Sequence, residues 1–297
     1  VRVGIVILPQ RRWKQQREQW QRAEEMGFDH AWTYDHLVWD PLAGTSWGAT
    51  VPTLTAAALA TSQIRLGTWV ASPNFRHPVP FARELAALDD ISDGRAVLGF
   101  GAGGTGADAT VLGGPVLAPG ERAARLEEFV ELLDLVLTEP STTYRGRYYT
   151  AVDATTTLPC LQQPRLPFVV AANGPRTMRT AARFGSGWAT TGAYRRGHAA
   201  DDETWWSGVA GLAGRFDEVL AGTRRDPAEV DRLLSVDAAP TYAVASLERF
   251  TDAVGRAGEL GFTDVVVHWP LPGAPVYDAP ESTLDDIAAA LPAVQRP

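Results

Sequence analysis

Eight short apolar runs, each followed by a longer segment of helical period, predict a (β/α)8 TIM barrel for this 297-residue chain. Three observations carry that expectation. The runs are almost wholly apolar, as strands covered on both faces of a parallel sheet must be. They alternate regularly with helices, the element order of a parallel α/β fold. The length suits one barrel, which commonly takes about 250 residues, and no tandem repeat or low-complexity linker marks a second domain. Residues 1–297 are therefore expected to form one domain, with an open doubly wound sheet as the alternative.

The elements follow in order. Val3–Leu8 reads as the first strand, and Trp13–Met26 as a helix closed by Gly27. Asp29–Asp35 is the second strand and Pro52–Ser62 its helix. Ile64–Ala71 is the third, broken at Ser72-Pro73 and followed by helix Pro80–Ile91. Ala96–Gly101 leads through a glycine-rich loop into helix Glu121–Leu137. The segment 141–166 is an insertion, in which "YRGRYY" resembles a small β-hairpin. Phe168–Asn173 and helix Arg176–Phe184 resume the alternation, then "GWATT" and a helix within Thr204–Leu220. Leu233–Pro240 with helix Leu247–Leu260, and Asp264–Trp269 with Ser282–Leu291, complete it.

Composition narrows the function. Hydrophobic residues make up 45% and charged residues 21% of the chain, the profile of a soluble globular protein. No apolar run nears the roughly 20 residues needed to cross a bilayer, and the start is too strand-like for a signal peptide. A net charge of −8 argues against nucleic acid, which demands a basic surface. Cys160 is the single cysteine, so neither an intrachain disulfide nor a cysteine metal cluster is available, and a cytoplasmic location is expected. Lys14 is the one lysine, so no lysine beyond it can form a Schiff base or anchor a phosphate. The preference for arginine fits a GC-rich genome.

In such barrels the reacting groups stand at the C-terminal ends of the strands. Those ends carry Asp35-His36, Ser72, Gly101–Gly104, Asn173-Gly174, Thr190-Thr191 and His268-Trp269. Asp35-His36 is the leading catalytic pair, because imidazole exchanges a proton near neutral pH; a pair that merely caps the next helix is the alternative. Gly99–Asp108 offers backbone N–H groups as a phosphate cradle, or is simply a flexible loop. Arg176 sits in the first turn of a helix after Asn173-Gly174-Pro175, where it opposes the dipole unless an anionic ligand compensates. The scattered histidines have no metal-site spacing, and metal dependence is not expected. Trp39, Trp47, Trp205, Trp206 and Trp269 fall near the upper loops, as packing or as an aromatic lining.

Taken together, "TYDHL", "LGTWVASPNFRHPVPFARELAALDDISDGRAVLGFGAG", "ERAARLEEFVELLDLVL" and "VVAANGPRTMRTAARFGSGWATTG" resemble the bacterial luciferase-like superfamily of flavin- and deazaflavin-dependent oxidoreductases, most closely its coenzyme F420 branch. The resemblance runs from Val3 to about Gly192 and implies the following. Asp35 and His36 occupy the place of an Asp-His pair that serves the deazaflavin and the proton transfer. A non-prolyl cis peptide is expected at Trp69-Val70 or one bond later. Val70, Ala71, Ser72, Ala102, Gly103, Asn173, Gly174, Pro175 and Arg176 match places that hold the cofactor. The F420-dependent sugar-phosphate dehydrogenases carry a glutamate where Gly104 stands and a lysine where Tyr194 stands, so sugar-phosphate oxidation is not expected; Asp108 is a candidate replacement carboxylate. The implied activity is hydride transfer from C5 of reduced F420 to a C=C or C=N bond of a small biosynthetic metabolite. An FMN-dependent monooxygenase and a non-catalytic flavin-binding protein are the alternatives, and a homodimer is left open.

Overall fold

A computed structural model describes residues 1–194 and 198–295. Eight parallel strands close a barrel: β1 (Arg2–Val6), β2 (His30–Thr33), β3 (Arg65–Thr68), β4 (Ala96–Gly101), β7 (Phe168–Ala171), β8 (Gly187–Thr190), β9 (Asp231–Ser235) and β10 (Asp264–His268). Closure comes from β1 pairing with β10 on one side, Val3 opposite Val265, and with β2 on the other, Ile5 opposite Ala31. The insertion contains the antiparallel hairpin β5 (Thr142–Arg145) and β6 (Thr150–Ala154). The expected hairpin is present, with "YRGRYY" spanning the end of β5 and the turn into β6.

The helices are α1 (Trp13–Glu25), α2 (Thr50–Ala60), α3 (Pro78–Ile91), α4 (Pro119–Thr138), α5 (Pro175–Phe184), α6 (Asp202–Ala221), α7 (Leu247–Glu259) and α8 (Thr283–Val294). Several starts follow directly from local chemistry. Proline occupies the first helical position of α3, α4 and α5, where its missing N–H costs nothing. Asp201 and Ser246 accept hydrogen bonds from the N–H groups of Thr204 and Arg249 as N-caps of α6 and α7. No helix among the described residues is long and apolar enough to cross a membrane.

Strand alternation sorts the core into two layers. One set of side chains, including Ile5, Ala31, Leu66, Leu98, Val170 and Leu234, packs outward against the helices. The other set, including Val6, Trp32, Val97, Val169, Leu233 and Val266, fills the barrel interior. The strands are buried on both sides, which is why their sequences read as apolar runs.

Seven of the eight barrel strands end before their expected limits, and β3 and β9 stop furthest short. β3 stops at Thr68, and the Trp69-Val70 peptide that follows is cis. Ala71 then rejoins the sheet as an isolated bridge to Phe100. The seventh barrel strand, expected over Leu233–Pro240, runs from Asp231 to Ser235 and gives way to a 3-10 turn at Val236–Ala238. Asp237 explains the turn: its carboxylate accepts hydrogen bonds from the N–H groups of Ala243 and His268, which an extended strand would not bring together.

Candidate active site

A cavity of about 470 Å³ opens at the C-terminal ends of the strands, within the size range of small-molecule sites. One wall is the irregular end of β3, where Trp69, Val70 and Ser72 face it. The cis peptide lies at Trp69-Val70, the first of the two bonds expected. The facing wall is the loop after β4, from Gly101 to Asp108. Glycine is required in this wall: Gly103 has φ of +79°, and a Cβ there would lie 2.7 Å from the Asn74 side-chain oxygen. Ala171, Asn173, Ala189 and Thr190 form the floor, and Tyr34, His36 and Trp39 close the side next to β2.

His36 borders the cavity, and its Nδ1 stands 2.6 Å from Asp108 Oδ2. The other oxygen of Asp108 accepts the backbone N–H groups of Leu37 (2.9 Å) and Val38 (2.8 Å). The carboxylate therefore fixes both the imidazole and the loop that carries it. Burial pushes the Asp108 carboxyl up, but the hydrogen bonds from His36 and from the two backbone groups, with the charge of His36, outweigh it and hold the group below its ordinary value. An ionised Asp108 selects the His36 tautomer with its proton on Nδ1, and Nε2 is left to take or give a proton.

Asp35 faces the other way. It is buried and forms a two-point ion pair with Arg76, at 2.7 Å and 3.0 Å, and does not border the cavity. Arg76 extends the pair to Glu84 at 3.1 Å. The two neighbours thus have separate duties, and the carboxylate that partners His36 comes from 72 residues downstream.

The other expected contacts divide similarly. Val70, Ser72, Ala102, Gly103 and Asn173 border the cavity. Asn173 is held by a hydrogen bond from its amide to the Gly192 carbonyl (2.8 Å) and another from the Thr190 hydroxyl (2.7 Å). Ala71, Gly174, Pro175 and Arg176 do not border it. Arg176 forms an ion pair with Glu127 at 2.6 Å on the surface, so its charge is matched by the protein itself. Sequence reasoning missed Arg125, which donates a hydrogen bond at 2.5 Å to the side-chain oxygen of Asn74, a residue of the cavity wall, and which forms no ion pair with a carboxylate among the described residues. Of the tryptophans, Trp39 lines the cavity and Trp47 packs beside Tyr34 and His36. Trp205, Trp206 and Trp269 are core residues.

Comparison with known proteins agrees with this architecture. The chain is 32% identical over 295 residues to F420-dependent glucose-6-phosphate dehydrogenase of Beutenbergia cavernae, covering 84% of this chain and 85% of that one. It is 31% identical over 175 residues to 5,10-methylenetetrahydromethanopterin reductase of Methanopyrus kandleri, covering 56% of this chain and 48% of that one. An F420-dependent secondary alcohol dehydrogenase in complex with an F420-acetone adduct has the same fold, with a TM-score of 0.80 at 19% identity over 100% of this chain and 99% of that one. The model of the luciferase-like monooxygenase family matches residues 1–237. A match over more than half of the sequence, carried on the same barrel, makes this chain a member of the luciferase-like monooxygenase family.

Proposed function

We propose that the protein is an F420-dependent oxidoreductase that works as a reductase on a C=C or C=N bond of a small metabolite. The observation that carries this reading is His36, oriented by Asp108 at the edge of a cavity whose opposite wall is the cis-peptide end of β3. The names of the relatives that match across most of the chain support the cofactor.

The residues present suit a tricyclic ring with a phosphorylated tail. The space between the β3 wall and the glycine loop is lined by backbone and small side chains, Val70, Ala102 and Gly103 among them, against which a flat ring can lie. Asn74 in the cavity wall, with Arg125 bonded behind it, supplies a polar and a positive group for an anionic tail. When bound, F420 supplies a hydride at C5. His36 holds or moves the accompanying proton at Nε2, and Asp108 keeps the imidazole in one tautomer and stabilises it when charged. Asp35 contributes by fixing the start of the loop through Arg76.

Sugar-phosphate oxidation is disfavoured by Gly104 and Tyr194 at the places where those enzymes carry a glutamate and a lysine. Asp108 does not restore a free carboxylate, since both its oxygens are engaged. Equilibrium titration with F420 and with FMN, followed by anaerobic turnover, tests the reading. Micromolar or tighter F420 binding and oxygen-independent turnover are expected. Tight FMN binding with oxygen consumption and no response to F420 would replace it with the monooxygenase reading. Near-normal turnover of His36→Ala would remove His36 from the proton transfer, for which a loss of about 10²–10⁴ is expected.

A further inference from the structure

A second chain of titratable groups reaches the cavity beside His36. Alternation along β2 points His30, Trp32 and Tyr34 into the barrel, so Tyr34 stands one pleat above the apolar layer and borders the cavity. On β10 the same alternation places His268 above Val266. The two meet across the top of β1: Tyr34 Oη lies 2.8 Å from His268 Nε2 and 2.9 Å from the Tyr277 hydroxyl. Behind them His268 Nδ1 lies 3.1 Å from Asp237 Oδ2, which also accepts the His268 backbone N–H. Asp237 is fully buried and His268 is 2% exposed. Tyr277 stacks on the imidazole, with ring centroids 3.9 Å apart and planes 6° from parallel.

Burying a carboxylate, an imidazole and a phenol together is costly unless each is bonded to the next. Packing does not demand it here, since the interior layer just below is made of Val6, Trp32, Leu233 and Val266. The arrangement does have a chemical consequence. Asp237 holds the Nδ1 proton of His268, so Nε2 is the atom that exchanges a proton with Tyr34.

We infer that Tyr34 is a proton-transferring catalytic residue on the substrate side of the cavity, with His268 and Asp237 as its positioning and charge-storing partners. This rests on the F420-dependent reductase reading. Tyr34 and His36 then stand side by side on one wall of the cavity, in edge contact with ring centroids 5.6 Å apart; Asp108 backs His36 directly and Asp237 backs Tyr34 through His268. In the reductive direction the O–H bond of Tyr34 breaks and its proton goes to the substrate, so that His36 holds a proton at Nε2 beside the hydride donor and does not deliver it to the substrate. The Nε2–H bond of protonated His268 breaks as the Tyr34 O–H reforms. The two electrons arrive with the hydride, so the substrate gains one hydride and one proton. Water entering the emptied cavity returns the proton to His268 through Tyr34. A phenol proton donor suits a conjugated carbonyl or an imine, whose oxygen or nitrogen gains electron density as the hydride arrives.

The test compares wild type with Tyr34→Phe and Asp237→Asn, using reduced F420 and 2-cyclohexen-1-one as the probe. Tyr34→Phe is expected to lower kcat by about 10²–10⁴, to change the solvent deuterium isotope effect on kcat, and to leave F420 affinity unaltered. Asp237→Asn is expected to lower kcat less. Equal kcat and an equal isotope effect in Tyr34→Phe would overturn the inference, since a merely structural hydroxyl affects stability and KM. If the wild type itself fails to bind F420, the underlying reading fails instead. Should the wild type bind F420 but leave the probe unreduced, 15N NMR of the cofactor-free protein decides. A His268 Nε2 resonance that shifts on Tyr34→Phe supports the relay, and an unchanged one overturns it.

Discussion

Replacing Asp108 with asparagine separates orientation of His36 from its mere presence. The substitution keeps the size and removes one acceptor oxygen. In the protein, one oxygen of Asp108 serves the N–H groups of Leu37 and Val38, and the other serves His36 Nδ1 at 2.6 Å. The single oxygen of asparagine stays with the two backbone donors, which turns its NH2 group toward His36. Two donors cannot share a hydrogen bond, so the imidazole must move its proton to Nε2 and present the wrong atom to the cavity. A hydrogen bond to a charged group contributes about 1.5–3 kcal/mol. At about 1.36 kcal/mol per factor of ten, kcat should fall roughly 10- to 150-fold. Reduced-F420 consumption at saturating substrate reads the rate, fluorescence titration should give unaltered F420 affinity, and 15N NMR reads the tautomer. Unchanged kcat with an unchanged His36 tautomer would refute the argument that Asp108 selects the working form of His36.

Three further outcomes are expected. Asp35→Asn breaks the buried pair with Arg76 and should cost about 3–5 kcal/mol in a urea titration; intact stability with weakened F420 binding would instead place Asp35 against the cofactor. Arg125→Ala should raise the F420 dissociation constant more than Arg176→Ala, because Glu127 already neutralises Arg176; the reverse order would restore Arg176 as the tail anchor. At the opposite end of the barrel, burial raises the Asp264 carboxyl, but hydrogen bonds from His30 and Arg2 outweigh it and hold the group well below its ordinary value. Its stabilisation is therefore complete above the unfolded value near pH ~4 and is lost as pH falls through the lower folded value. Asp264→Asn should accordingly lose stability at pH 7 and show a shallower acid decline than wild type; identical acid limbs would refute that role.

The barrel was legible because apolar burial is a property of neighbouring residues. Runs such as Val265–Val267 are covered on both faces, so their sequence reports their place without reference to distant segments. The cavity's position followed, since strand ends in this architecture share one rim, and His36, Ser72, Gly103 and Asn173 do meet there. The bond at Trp69-Val70 was expected from resemblance alone; periodicity holds no trace of it.

Pairing of charges was a different matter. Asp35 and His36 are adjacent, yet one turns to Arg76 and the other to Asp108, and nothing in the dipeptide distinguishes those directions. Arg176 at a helix start looked like an anion anchor until α4 brought Glu127 beside it. Tyr34, Asp237 and His268 come from the ends of three different strands: Asp237 meets His268 through the pairing of β9 with β10, and Tyr34 meets His268 only when β1 seats between β2 and β10. Apolar patterning needs only a buried face, which local sequence encodes. A hydrogen bond needs two particular atoms within about 3 Å, and for residues dozens to hundreds of positions apart that distance is set by closure of the barrel.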